Sequence, residues 1–394
     1  MFVKITVATP ILFDPTSPFN HLFGDILASL TQNGHSVTRL LAVENEIQDE
    51  QLFGLATENI PVKRKVAAHG NIITRYINDS LTNFRMARKI KSTGADILFE
   101  DASYSSHFAV RAAKRAGMQV VTMLQDVWPD NAVQSGLLRE GSLLYRFFEF
   151  FQQYVYKHSD RLICISDDMK AFLVSKGVPA EKISVIYNWG YSDDTVSINW
   201  EENAFVKKYD LSRDKFYAVY AGNIGRMQNL ELVVEAAELL QKQENIRFLI
   251  IGTGAREENI RQMVAEKGLS NVEFLPFQPS QLATSVYSAA GVNLIPLVKG
   301  GTKTALPSKT GVVLSCGRPA IFTFGEGTTF GAMLEESGAG MSVDPEDPKK
   351  LASAIEKIAE ERSSDPEPAY GVFRKLFTRS TNMQKYCDII TGEL

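Results

Sequence analysis

The chain has only three cysteines in 394 residues, and Cys164, Cys316 and Cys387 stand far apart. They form no metal-ligand spacing and no disulfide framework, which points to a reducing compartment. No run of about 18 apolar residues occurs, so no transmembrane helix is expected. The segment Met1 to Pro10 lacks the charged-then-apolar layout of a secretion signal and reads as a short apolar strand. Positive charge is not in excess: the net charge is -4, and no DNA- or RNA-binding motif appears, which excludes a general nucleic-acid binder. No Gly-Lys-Ser/Thr closes a glycine loop, so a Walker phosphate loop is excluded. No Asp-x-Asp pair is present to hold a metal. These absences lead to the expectation of a cytoplasmic protein without a metal centre.

What is present is an alternation of short Val/Ile-rich runs with longer helix-like stretches. In the first half the strand candidates are 2–9, 36–43, 95–100, 118–124, 161–165 and 183–187, with helices such as 20–33 and 104–116 between them. The pattern restarts after residue 200, with strands at 216–221, 246–251, 271–275, 291–296, 318–323 and 339–343. Helices are expected over 229–243, 256–267, 308–316, 328–337 and 348–361. Two βαβ series in succession predict an α/β chain of two Rossmann-like, doubly wound domains facing a central cleft. The expected limits are 1–190 and 203–369, joined by a polar linker. An amphipathic helical segment, 370–394, would return to the first domain.

One stretch is strongly basic. Residues 61–91 hold Lys63, Arg64, Lys65, Arg75, Arg85, Arg88, Lys89 and Lys91 against a single acid, Asp79. Two readings stand: a solvated helical face, or a surface that rests on anionic lipid. The aromatic-rich stretch 142–156 reads as a helix used for core packing, with a membrane-interface role as the alternative.

The glycines are placed at strand ends. Strand 216–221 runs into Gly222-Asn223-Ile224-Gly225-Arg226-Met227-Gln228-Asn229 and then a helix. Glycine lets the backbone approach a ligand, and a helix start offers N–H groups to an anion. Arg226 adds a fork for phosphate. Strand 246–251 ends in Gly252-Thr253-Gly254 on the same sheet edge. Either loop is also compatible with a plain strand-to-helix turn. Further on, Pro307-Ser308-Lys309-Thr310 precedes the apolar run Val312-Val313-Leu314. Pro307 suits the first turn of a helix. A lysine at a helix start opposes the helix dipole unless an anion offsets it or the side chain turns to water.

The segment 300–319, with Pro307-Ser308-Lys309 and then Gly317-Arg318-Pro319, resembles the donor-binding region of family-4 retaining glycosyltransferases. The likeness is to the bacterial surface-polysaccharide branch that includes N-acetyl-L-fucosamine transferases. The loop 222–229 resembles the same branch, as do Gln125-Asp126-Val127-Trp128-Pro129-Asp130, Cys164-Ile165-Ser166 and Val185-Ile186-Tyr187-Asn188. The resemblance implies a GT-B fold and transfer of a hexose or amino-hexose, with retention, from a nucleotide diphosphate sugar. UDP is favoured over GDP. It implies a glycan or lipid-linked acceptor, no cofactor, no metal, and a peripheral place on the inner face of the membrane. It assigns Asp126, Arg226 and Lys309 to the reaction. Donor contact falls to Gly222, Asn223, Gly225, Gln228, Gly252, Gly254, Phe277, Thr304, Ser308 and Thr310.

Departures from the family pattern also appear. The glutamate pair of many relatives falls here at Thr304 and Val312, and their phosphate-binding Arg and Lys fall at Asn223 and Gln228. The glycine pair after the first strand is replaced by Asp14-Pro15-Thr16-Ser17-Pro18-Phe19-Asn20-His21. An inactive partner subunit and a two-Rossmann sugar-nucleotide epimerase therefore stay as alternatives.

Overall fold

The computed structural model describes residues 2–10, 18–43, 56–64, 72–190, 192–361 and 365–393. Asp14 to Ser17, the side chains of Pro18 to His21, and Lys65 lie outside the described residues. Two compact units emerge: residues 1–133, 137–187 and 380–394, and residues 134–136 with 188–379.

The first unit is built on β1 (Lys4–Thr9), β2 (Ser36–Val43), β3 (Glu58–Lys63), β4 (Ile97–Asp101), β5 (Gln119–Leu124), β6 (Arg161–Cys164) and β7 (Ile183–Val185). They form one parallel sheet in the order β3-β2-β1-β4-β5-β6-β7. The central strands are apolar runs that both faces bury, as a parallel sheet covered by helices requires. β3 was not among the expected strands. Its sequence, Glu-Asn-Ile-Pro-Val-Lys, is half polar and contains Pro61, which a strand tolerates at a sheet edge, where β3 lies. Lys63 ends that strand, while Arg75, Arg85, Arg88 and Lys89 belong to helix Ile72–Ile90. The basic stretch is therefore not one helical face. Arg64 donates to the Pro10 carbonyl and Arg85 to that of Lys63 (2.7 Å), while Asp79 is buried.

The second unit carries β8 (Phe216–Ala221), β9 (Ile246–Ile251), β10 (Val272–Leu275), β11 (Val292–Ile295), β12 (Ala320–Phe322) and β13 (Met341–Ser342). Their parallel order is β10-β9-β8-β11-β12-β13. Strand order reverses between β8 and β11, so the loops leaving these two strands flank the switch point of the sheet. Helix Leu230–Leu239 and helix Pro348–Glu361 pack on one face, burying Leu232, Val233, Ala236, Leu351 and Ile355 against Tyr220, Phe248 and Ile250.

The expected carboxyl-terminal helical segment is two helices. Glu367–Leu376 stays with the second unit, where Tyr370 and Phe377 crowd Gly317 and Gly311. Arg379–Thr391 belongs to the first unit: Asn382 Nδ2 donates to the Tyr187 carbonyl at 2.9 Å, and Tyr386 packs edge-on against Phe99. The polar linker also joins the second unit, with the Ile198 N–H on Ser288 Oγ at 3.1 Å.

Candidate functional site

The loop after β8 and the loop after β11 meet at the switch point of the second sheet. Tyr220, near the end of β8, is buried, and its hydroxyl donates to the Asn223 carbonyl at 2.5 Å. That bond folds the glycine loop back over the strand. Lys309 arrives from the other side. Its Nζ donates to the Ala221 carbonyl at 3.0 Å and lies 3.7 Å from the centre of the Tyr220 ring. A Cβ built on Gly222 would stand 3.2 Å from that nitrogen. The residue is half-buried but its ammonium tip is enclosed, and burial lowers its pKa to about 7. A cation kept at this strand end is poised to gain charge when an anion comes beside it.

The glycines serve two different ends. Gly252 is at φ 144°, and a Cβ there would sit 1.9 Å from the Gly222 carbonyl oxygen. A Cβ on Gly254 would stand 2.4 Å from the Ile224 carbonyl oxygen. These two residues let the loop after β9 lie against the loop after β8. The N–H groups of Gly222 and Ile224 are spent on the Ile251 and Thr253 carbonyls, both at 2.9 Å. Gly225 differs, because side-chain amides cover it. A Cβ there would fall 2.6 Å from Gln228 Oε1 and 2.7 Å from Asn223 Nδ2. Where the resemblance implies cations, this chain gathers two neutral amides, and Lys309 supplies a positive charge from another loop.

The remaining expected donor contacts are spread along the same unit. Helix Thr310–Ser315 starts later than expected, with Lys309 at its N-cap, so Pro307 and Ser308 lie in the preceding turn rather than in the first helical turn. Thr310 is buried and its hydroxyl donates to the Pro307 carbonyl at 2.7 Å. Thr304 is buried too; its hydroxyl donates to Gln134 Oε1 and stands 3.3 Å from the Gly301 carbonyl. The Thr310 proton is thus committed to a turn carbonyl and the Thr304 proton to a side-chain amide oxygen. Arg226 and Ser308 are exposed, as is Phe277, which follows β10 at 65% exposure.

The first unit holds Asp126, just past β5. It keeps an open face, yet the surrounding protein pushes its carboxyl up to about 6. Trp128 beside it is buried against Tyr104 and Phe148, and the Trp128–Pro129 peptide is cis. Sequence reasoning missed three acids nearby. Glu100 and Asp101 end β4, and Asp79 comes from helix Ile72–Ile90; all three are buried. Thr122 Oγ1 donates to Glu100 at 3.0 Å and Ser105 Oγ to Asp79 at 2.7 Å. Burial raises all three, Glu100 to about 8, and Asp101 is pushed further by the neighbouring Glu100. Acids at the end of a parallel strand, just before Ala102-Ser103, were the available signal.

Comparison with known proteins fits this arrangement. Residues 23–189 match the family described as Glycosyltransferase Family 4, and residues 215–361 match Glycosyl transferases group 1. WbjE of Pseudomonas aeruginosa, named as a glycosyltransferase, is 26% identical over 62% of this chain and 60% of its own length. WcaI of Escherichia coli, named for colanic acid biosynthesis, is 28% identical over 62% of this chain and 60% of its own. The chain thus matches about 60% of the length of these curated relatives. Anabaena HepE, solved in complex with UDP, superposes with a TM-score of 0.71 at 14% identity over 100% of both chains. The chain therefore carries a glycosyltransferase family-4 domain followed by a glycosyltransferase group-1 domain, on the two parallel α/β units of the GT-B fold.

Proposed function

We propose that the chain is a retaining glycosyltransferase that takes a hexose or amino-hexose from a nucleotide diphosphate sugar. The observation that carries this is the convergence of Lys309 on the glycine loop at the switch point of the second sheet. In this reading Lys309 and Arg226 meet the diphosphate, and the amides of Asn223 and Gln228 complete its cradle. Stabilising the departing phosphate electrostatically lowers the barrier without a metal. The bond between the anomeric carbon and the phosphate oxygen breaks as the acceptor oxygen bonds to the same face of that carbon. The acceptor proton passes to the leaving phosphate. Asp126 then orients the sugar or the acceptor hydroxyl rather than serving as the base. UDP is favoured over GDP, in keeping with the nucleotide held by HepE. The acceptor is a glycan, lipid-linked, in bacterial surface-polysaccharide synthesis, the setting named for WcaI. The protein works in the cytoplasm, peripherally on the inner membrane face, with the basic segment 61–91 near anionic lipid.

A second reading has one observation in its favour. The positions of the family's glutamate pair hold Thr304, which is buried, and Val312. An inactive glycosyltransferase-like subunit would fit that loss. Incubation with a panel of UDP- and GDP-sugars in EDTA, with membrane extract as acceptor source, separates the readings. Released nucleoside diphosphate with sugar transferred to lipid extract supports the transferase. Sugar interconversion without acceptor marks an epimerase, and bound but unturned nucleotide marks the inactive subunit.

A further inference from the structure

Helix Ile72–Ile90 carries two unlike stripes. Asp79, Thr82, Asn83, Met86 and Ile90 are buried, at the spacing of one helical face. Ile73, Ile77, Leu81 and Phe84 follow the i, i+4, i+8, i+11 spacing of the opposite face and remain in the open, with Ile73 and Ile77 each 52% exposed. Helix Leu143–His158 repeats the arrangement. Phe148, Gln152, Val155 and Tyr156 are buried, while Leu143 is 86% and Phe150 69% exposed, with Phe147 between them. Tyr76 of the first helix meets Phe147 of the second edge-on at 5.6 Å. Helix His107–Arg115 bridges the pair: Phe84 meets Phe108 at 5.8 Å, and His107 stacks on Phe151 at 4.1 Å. The exposed side chains thus belong to one apolar surface of the first unit. A surface of this kind is a site of interaction rather than scattered exposure.

Charge decides the occupant. The helices 72–90, 107–115 and 143–158 hold nine lysines and arginines and two acids, Asp79 and Glu149. Asp79 is buried, and Glu149 is bound to Lys176 at 3.0 Å. Arg75, Arg88, Lys89, Arg111 and Arg146 are exposed on the same three helices. A second copy docking through the same face would bring like charges together. An anionic lipid surface suits both features at once, accepting apolar side chains below the headgroups and arginines among the phosphates. Among the described residues, no helix is long and apolar enough to cross a membrane.

The geometry points to helices Ile72–Ile90 and Leu143–His158 as a lipid-inserting face, with Phe150, Leu143 and Ile77 entering an anionic bilayer. This rests on the peripheral contact proposed above and moves its weight from charge alone on 61–91 to two apolar stripes. The test is flotation of the full chain with phosphatidylcholine vesicles containing about 30 mol% phosphatidylglycerol. The parent is compared with the triple variant Ile77→Ser, Leu143→Ser, Phe150→Ser, and a Phe150→Trp chain reports insertion by its emission. The parent is expected to bind, and to keep part of its binding in about 0.5 M salt, where screening weakens exposed charges. The serine variant should lose about ten-fold in partitioning while its circular dichroism and Tm match the parent. The emission added by the Phe150→Trp substitution should shift to the blue only with vesicles. Equal flotation of variant and parent, unshifted emission, or a blue shift that follows protein concentration without lipid would overturn the proposal, the last by marking a second copy as the occupant. Vesicle binding needs neither donor nor acceptor, so its failure leaves the transferase reading to the nucleotide-release assay.

Discussion

Lys309 shows how one residue combines fold and chemistry. Its ammonium is held by a carbonyl and a tyrosine ring at a strand end, and burial holds its pKa at about 7, against an ordinary lysine value of 10.5. Near neutral pH the free protein is then only partly charged at this position. A diphosphate beside it favours the charged form, so binding takes up a proton. Affinity for UDP should fall as pH rises above about 7, by up to about ten-fold per unit, until the bound-state pKa is passed. A Lys309→Met chain should bind more weakly at neutral pH and give a flat profile over that interval; calorimetry across pH checks both, and parallel profiles would remove Lys309 from the site. Lys309 was legible because a cation next to a buried apolar run is out of place without an anion. Glu100 was not. An acid at the end of a strand reads the same in sequence whether water or Thr122 meets it, and only the packing of β4 and β5 decides.

At the scale of elements, the two glycine loops depend on each other. Gly252 is at a φ that L side chains rarely adopt, and its missing Cβ is the space occupied by the Gly222 carbonyl. Gly252→Ala should therefore cost about 3 kcal/mol or more, because backbone rather than a flexible side chain must shift. The displaced loop after β8 should also lose UDP affinity, which thermal unfolding and calorimetry on one preparation would check. Unchanged stability would mean that the loops are not locked together. The repeated apolar runs made the strands readable. β3 escaped because Pro61 and its polar neighbours suit an edge, where alternation is weak. The helix after Lys309 is shorter than its apolar pattern suggested, since the turn at Pro307 and Ser308 absorbs the expected first residues. Helix Ile72–Ile90 was legible only as charge. Its apolar stripe becomes visible once Met86 and Ile90 fix which side faces inward.

For the whole molecule, the repeated βαβ pattern was enough to give two parallel sheets, while the division of the carboxyl-terminal segment into two helices, one for each unit, needed coordinates. Helix Glu367–Leu376 closes over Gly311 and Gly317 of the second unit, and the next helix leaves for the first, where Asn382 and Tyr386 are buried. Substrate identity is less legible than fold, because the residues that depart from the pattern of the resemblance are those at the proposed donor loops. Asn223, Gln228, Thr304 and Val312 stand where the resemblance implies charged groups. What remains are two neutral amides with Lys309 and Arg226 beside them, and the account depends on that cradle taking a diphosphate without a metal ion. Calorimetric titration of UDP into the intact chain in EDTA measures this most directly. The account predicts saturable binding, unchanged when magnesium is restored and weakened at least about ten-fold in Lys309→Met, as loss of a charge-assisted contact implies. Binding that appears only with magnesium, or that is indifferent to Lys309, would contradict it.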